Sequence, residues 1–146
     1  MAIKKQEFYE GAALHQLVRC NELTRIEYDN PFFLLDNRFL VYFKYSTKGR
    51  SPWGFTFTKE EQELLELRAQ KNRIVIGLVC GAGGVAAMSF SSYSRLAHRS
   101  NSSIHIACHR RHGEHYEVTG PDGAMNGKVS PSKWQRILQD QAENEA

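Results

Sequence analysis

The chain has 146 residues, 41% hydrophobic and 24% charged, with a net charge of +3 at neutral pH; these values fit one globular domain long enough to bury a core. No apolar run approaches the roughly 18–20 residues that span a bilayer, and the start, MAIKKQEFYEG, is charged and then amphipathic with no apolar secretory region, so a cytoplasmic protein away from membranes is expected. Cys20, Cys80 and Cys108 are widely spaced and odd in number, which excludes a disulfide framework, and 19 bases against 16 acids permit nucleic-acid binding without requiring it.

In chain order, residues 5–20 read as a helix, because Phe8, Leu14, Leu17 and Val18 recur at helical spacing with no proline between them. Residues 25–46 hold two apolar runs, PFFLL and RFLVYFKYS, around Asp36-Asn37, the pattern of a β-hairpin with a two-residue turn. A basic loop, TKGRSPWGFTF, leads into a short strand. Thr58-Lys-Glu-Glu61 is a capping box opening a helix over 59–70, with Leu64, Leu65 and Leu67 as its apolar face. RIVIGLV, at 73–79, is the continuous apolar run of a strand covered on both faces. CGAGG turns it into a second strand, VAAMSF, and a short helix is expected over 91–99. Residues 104–118 read as a strand pair turning at His112-Gly113, and Ser130-Pro131 opens a last helix. Phe33, Leu40 and Val75 are expected in the sheet core.

The hairpin places charges. With Asp36-Asn37 as the turn, Leu35 faces Arg38, Phe33 faces Leu40, and Asp29 faces Lys44. Opposed residues share a face, so Asp29 and Lys44 become neighbours among apolar side chains. Such a pair is either a structural ion pair at the sheet end or the start of a phosphoryl-transfer site, in which a carboxylate holds Mg²⁺ and a lysine orients water. Glu10, four residues before Leu14, lies along the apolar stripe of the first helix. It is either a favourable acid near a helix start or a carboxylate that needs a cation.

In this order of elements the chain resembles the PD-(D/E)XK nucleases, and among them the archaeal Holliday-junction resolvases. The resemblance rests on Glu10 on the first helix, Asp29 ahead of PFFLLDNRFLVYFKYS, and Lys44 at the place of the motif lysine. Gln62 in TKEEQELLEL stands where related enzymes often carry a helical glutamine, and RIVIGLVCGAGGVAAMSFSSYSRL resembles the closing strands and helix. It covers about residues 5–97. It implies an α/β fold with a central mixed β-sheet flanked by helices: a restriction-endonuclease-like core (α-β-β-β-α-β-β-α) over about 5–99, then a C-terminal β-hairpin and helix over about 100–146, in a single domain 1–146. It also implies a metal-dependent endonuclease acting on phosphodiester bonds, with Asp29, Lys44, Glu10 and Gln62 as catalytic residues and Asp29 and Glu10 holding Mg²⁺ or Mn²⁺. One position departs from the family: the residue two before Lys44 is Tyr42 where an acid belongs. A replacement carboxylate could come from Glu63 or Glu66 of the next helix. The departure keeps open a second reading, a nuclease-fold module that has lost activity and binds nucleic acid or a protein partner. A homodimer is a further option.

Two basic segments suit nucleic acid. Lys48, Arg50 and Trp53 interleave charge with an aromatic ring, although Trp53 taken alone fits better as a plug at the core edge. Arg110 and Arg111 lie in CHRRHGEH, whose Cys108, His109, His112 and His115 have zinc-like density; on a hairpin they fall on different faces, which favours a solvated basic hairpin that touches phosphates. CGAGG lacks the spacing and the lysine of a phosphate-cradling loop and reads as a connecting turn.

Overall fold

The computed structural model describes residues 2–111 and 114–143. Its elements in chain order are α1 (Lys5–Cys20), β1 (Ile26–Asp29), β2 (Phe32–Leu35), β3 (Phe39–Ser46), β4 (Trp53–Phe57), α2 (Lys59–Ala69), β5 (Arg73–Cys80), β6 (Val85–Ser89), α3 (Phe90–Leu96), β7 (Ile104–His109), β8 (Glu117–Gly120), β9 (Gly123–Ala124) and α4 (Lys133–Glu143). The expected α/β class with a mixed sheet and flanking helices is present. A five-stranded sheet runs β1-β2-β3-β5-β6. In it β3 and β5 are parallel, joined through β4 and α2, and the other pairs are antiparallel.

The period-two alternation of β3 and β5 sorts their side chains into two cores. Leu40, Tyr42, Ile74, Ile76 and Leu78 enter one, and Phe39, Val41, Phe43, Val75 and Val79 enter the other. Leu40 and Val75 are fully buried as expected, whereas Phe33 is only partly covered. The second core is closed by α1 and α4. On α1 the buried residues are Ala13 and Leu17, with Tyr9 and Leu14 packed beside them. Phe8 and Val18 face solvent, so the apolar stripe is rotated from the expected one to the 9-13-17 row.

The first core is closed by a pairing between distant parts of the chain. The strand after the basic loop, β4, does not enter the main sheet. It pairs with β7, residue for residue from Trp53↔Cys108 to Phe57↔Ile104, in a four-stranded sheet of order β4-β7-β8-β9. Both strands alternate cleanly, and Trp53, Phe55, Phe57, Ile104, Ile106 and Cys108 point inward. The last third of the chain is therefore half of a sheet-on-sheet core rather than an extension beyond about residue 99. Smaller corrections are that α3 spans Phe90–Leu96 rather than 91–99, and that Leu67 of α2 is exposed. The turn expected at His112-Gly113 lies outside the described residues. Among the described residues no helix is long and apolar enough to cross a membrane.

Trp134 of α4 locks the helical side. It is fully buried, donates its indole N–H to the Ala13 carbonyl at 2.9 Å, and meets the Phe43 ring edge-on. Gly77 of β5 makes room for it: a Cβ there would lie 2.9 Å from the Trp134 ring and 3.1 Å from Phe43. Gly77→Ala should therefore cost about 1–3 kcal/mol by overpacking, and Trp134→Phe in the Gly77→Ala background should cost less than the two changes summed. Urea unfolding of the four proteins measures both, and strict additivity would contradict the contact.

Candidate functional site

The expected hairpin register is shifted by one residue. Asp36 and Asn37 both take positive φ, 51° and 57°, as a two-residue hairpin turn demands. Arg38 donates its N–H to the Leu35 carbonyl at 3.0 Å and stands as an extra residue, so Leu35 pairs with Phe39, Leu34 with Leu40 and Phe33 with Val41. The turn is held from outside as well. The Asp36 carboxylate accepts from the Thr24 and Arg25 N–H groups at 2.8 and 2.7 Å.

A second reversal at Asn30-Pro31 separates Asp29 from β2. Asp29 pairs with Phe32 on the edge strand, one strand farther out than expected. It does not face Lys44. Its carboxylate is bound by Arg68 of α2 at 2.7 Å, and that guanidinium lies over the Phe32 ring. Lys44 pairs across the sheet with Leu78.

Lys44 instead meets Glu61. Its ammonium lies 2.8 and 3.1 Å from the two carboxylate oxygens, and 5.3 Å from the centre of the Phe57 ring. Tyr42 donates its hydroxyl to the same carboxylate. Glu61 is also the acid of the expected capping box, accepting from the Thr58 N–H at 3.1 Å while its own N–H donates to the Thr58 hydroxyl at 3.2 Å. One carboxylate thus starts α2 and neutralises the lysine of β3. The sequence signal for it is the capping box, which accounts for a glutamate there without a second partner. Glu63 and Glu66, the alternative carboxylates on this helix, both engage Arg99.

Glu10 comes to the same place from α1. Beyond Pro31, β2 no longer flanks β3, and Glu10, Gln6, Pro31, Tyr42, Lys44 and Glu61 line a cavity of about 250 Å³ at the gap. Burial raises the Glu10 pKa above the ordinary carboxylate value, while a hydrogen bond from Gln6 and the charge of Lys44 lower it in part. Glu61 moves the other way. Burial pushes it up, but the hydrogen bonds from Lys44, Tyr42 and the Thr58 N–H outweigh burial and leave it low. Burial and the Glu61 hydrogen bond push the Tyr42 phenol far up, so it stays protonated as a donor.

The structure thus joins Glu10 and Lys44 and leaves Asp29 and Gln62 out. Gln62 is buried, giving its amide N–H groups to the Phe57 and Ser102 carbonyls and accepting the Ser100 N–H. It braces the segment before β7. The donor set does not suit Mg²⁺ or Mn²⁺ as the resemblance requires. Asp29 is engaged by Arg68, Glu61 by Lys44 and Tyr42, and among the described residues no group of three or more His, Cys, Asp or Glu could hold a metal ion. Cys108 points into the core beside Cys80 and His109 points outward, so the zinc pattern is divided between faces.

The basic residues do gather, at the C-terminal ends of the parallel strands. Gly81 follows β5 with φ of +54°, and a Cβ there would lie 2.3 Å from the Lys48 carbonyl. That carbonyl accepts the Trp53 indole N–H at 3.0 Å, and Ser51 accepts the Arg110 N–H at 2.9 Å. The Arg110 guanidinium donates to the Gly83 and Glu114 carbonyls and covers the Tyr116 ring. The loop after β3, the glycine turn and the end of β7 are thereby pinned together. Trp53 is 4% exposed and packs on Tyr116, so it is a core plug and offers no face for a base. Arg110 is spent on backbone carbonyls. Lys48, Arg50 and Arg111 are exposed, and among the described residues none of the three forms an ion pair.

No family model, no curated protein and no solved structure matches this chain.

The Lys44–Glu61 pair makes a testable demand on stability. Both side chains are about one-fifth exposed, at 21% and 20%, so removing one partner strands the other. Glu61→Gln should cost about 1–3 kcal/mol. Because the Glu61 pKa is lowered on folding, its contribution is present above the unfolded carboxylate pKa and fades as pH falls through the folded value. Glu10 has the opposite sign: its raised pKa penalises the folded state at neutral pH, and acid relieves it. The difference between wild type and Glu61→Gln should thus shrink with acidification, whereas Glu10→Gln should be neutral or stabilising at pH 7. Chemical unfolding from pH 3 to 8 measures both, and a constant Glu61→Gln deficit across that range would contradict the ion pair.

Proposed function

We propose that this chain is a nuclease-like module without phosphodiester-cleaving activity, and that it binds nucleic acid through the backbone phosphates. The observation that carries the reading is the basic end of the parallel strands. Three separate segments are bonded into one surface there, and it presents Lys48, Arg50 and Arg111, none of them held by an acid among the described residues. Ligands of open α/β sheets collect outside the carboxyl ends of parallel strands, and unpaired Arg and Lys side chains there release counterions from a phosphate backbone. A neighbouring cavity of about 530 Å³ adjoins the surface at Arg111, His109 and His115; its other cation, Lys128, is held by Glu114 and Glu117, which line the same cavity.

The residues at the motif support the reading without cleavage. Tyr42 stands where the resemblance demands a metal-ligating acid and donates its hydroxyl to Glu61, and the replacement candidates Glu63 and Glu66 are engaged by Arg99. With β4 set aside in the second sheet, the order of α1, three antiparallel strands, α2 and a strand parallel to β3 supports the restriction-endonuclease-like reading of the core.

Fluorescence anisotropy with labelled single- and double-stranded oligonucleotides tests the proposal. Binding should weaken linearly in log–log form with salt. Arg50→Ala and Arg111→Ala should each weaken it on every sequence and lower the duplex salt slope by about 0.9 for each phosphate no longer neutralised. No nicking should appear with Mg²⁺ or Mn²⁺. Metal-dependent cleavage that Lys44→Ala abolishes would restore the catalytic reading, and an absence of salt-sensitive binding would sink the present one.

A further inference from the structure

A second cluster of cations lies at the other end of β5, about 23 Å from the first along an eight-residue strand at about 3.3 Å per residue. Arg73 opens β5, Arg95 comes from α3 and Lys133 from α4, and the three line a pocket of about 420 Å³ with the serines around the start of α3. Asp140 is the acid that shares it. Like charges brought together from separate elements repel unless a counter-charge is present. Arg95 makes a contact of 3.4 Å to the Ser92 hydroxyl, and among the described residues neither Arg95 nor Lys133 forms an ion pair. Lys133 is half-buried in this position. The serines supply neutral donors: the Ser89 and Ser92 hydroxyls bond each other at 3.1 Å, and Ser91 is exposed beside them.

We propose that this pocket binds a phosphoryl dianion, as inorganic phosphate or as the phosphomonoester of a small molecule. The two positive charges of Arg95 and Lys133 match a dianion rather than the single charge of a phosphodiester, and serine hydroxyls with a guanidinium supply directed donors to phosphoryl oxygens. The site is independent of the nucleic-acid surface, since the two share no residue. Arg73, Arg95, Lys133 and Asp140 are the charged groups around it, and among the described residues no histidine lines it. A pH dependence between about 5.5 and 7.5 therefore comes from the ligand, since a phosphomonoester loses its second proton near about pH 6 and inorganic phosphate somewhat higher.

The test is thermal stabilisation, followed by calorimetric titration, with three probes at constant ionic strength: inorganic phosphate, glycerol 3-phosphate and dimethyl phosphate. The first two should raise the melting temperature at pH 7.5 and lose affinity by several-fold at pH 5.5, and dimethyl phosphate should have no effect. The tighter of the first two identifies the source, free phosphate or an organic monoester. Arg95→Ala and Lys133→Gln should each weaken phosphate binding about ten-fold while melting like wild type in chloride. Arg95 is exposed, so its variant reports on binding even where Lys133→Gln unsettles α4. Arg50→Ala and Arg111→Ala should leave phosphate binding unchanged whatever they do to nucleic acid. Equal response to dimethyl phosphate, no response beyond chloride, or binding that survives Arg95→Ala would each overturn the proposal.

Discussion

The parallel pair β3–β5 is buried on both faces, and that single condition organises the rest of the chain. A strand pair with aliphatic and aromatic side chains on both sides needs two covers. The α1–α4 layer covers one face through Trp134, and the β4-β7-β8-β9 sheet covers the other through Trp53, Phe55 and Phe57. The crossover that makes the pair parallel carries β4 out to the second sheet and returns through α2. Glu61 at the start of α2 then neutralises the charged residue of β3, Lys44.

The same arrangement explains why a motif-like sequence need not give motif-like chemistry. Phosphodiester hydrolysis through a bound divalent cation needs carboxylate oxygens free to coordinate it. Here the acids near the parallel pair meet protein donors: Asp29 meets Arg68, and Glu61 meets Lys44, Tyr42 and Thr58. Glu10 is half-buried and favours its proton more than an exposed glutamate does. The ion pairs tie β1 and β3 to α2. The cations that carry the two proposals lie elsewhere, toward the two ends of β5, and the proposed ligands follow them.

Local signals in the sequence are legible where one element decides the matter. The apolar run of β5 and the capping box of α2 stand as read, and the chain does reverse at Asp36-Asn37. What fails depends on partners distant in sequence. One extra residue, Arg38, shifts the hairpin register and exchanges the faces of β2 relative to β3. The alternation of Trp53-Gly-Phe-Thr-Phe57 marks a half-buried strand, but its partner begins about fifty residues later at Ile104, and no local pattern names it. In the candidate site, Glu10 and Lys44 are recognisable from their types and spacing. Glu61 reads as a cap alone, and Asp29 reads as one strand too far in, because the turn at Asn30-Pro31 lies inside what looks like one continuous run. The basic loop is legible as charge. That Trp53 and Arg110 serve the core and backbone carbonyls, leaving Lys48, Arg50 and Arg111 exposed, requires the fold.

Amide chemical-shift mapping with a short oligonucleotide tests the account's central claim most directly. Binding through the ends of β3, β5 and β7 should move the amides of residues 47–51, 81–84 and 109–111 and leave those around Glu10, Lys44 and Glu61 in place. Shifts centred on the Glu10–Lys44–Glu61 cavity, especially ones that appear only with Mg²⁺, would contradict it.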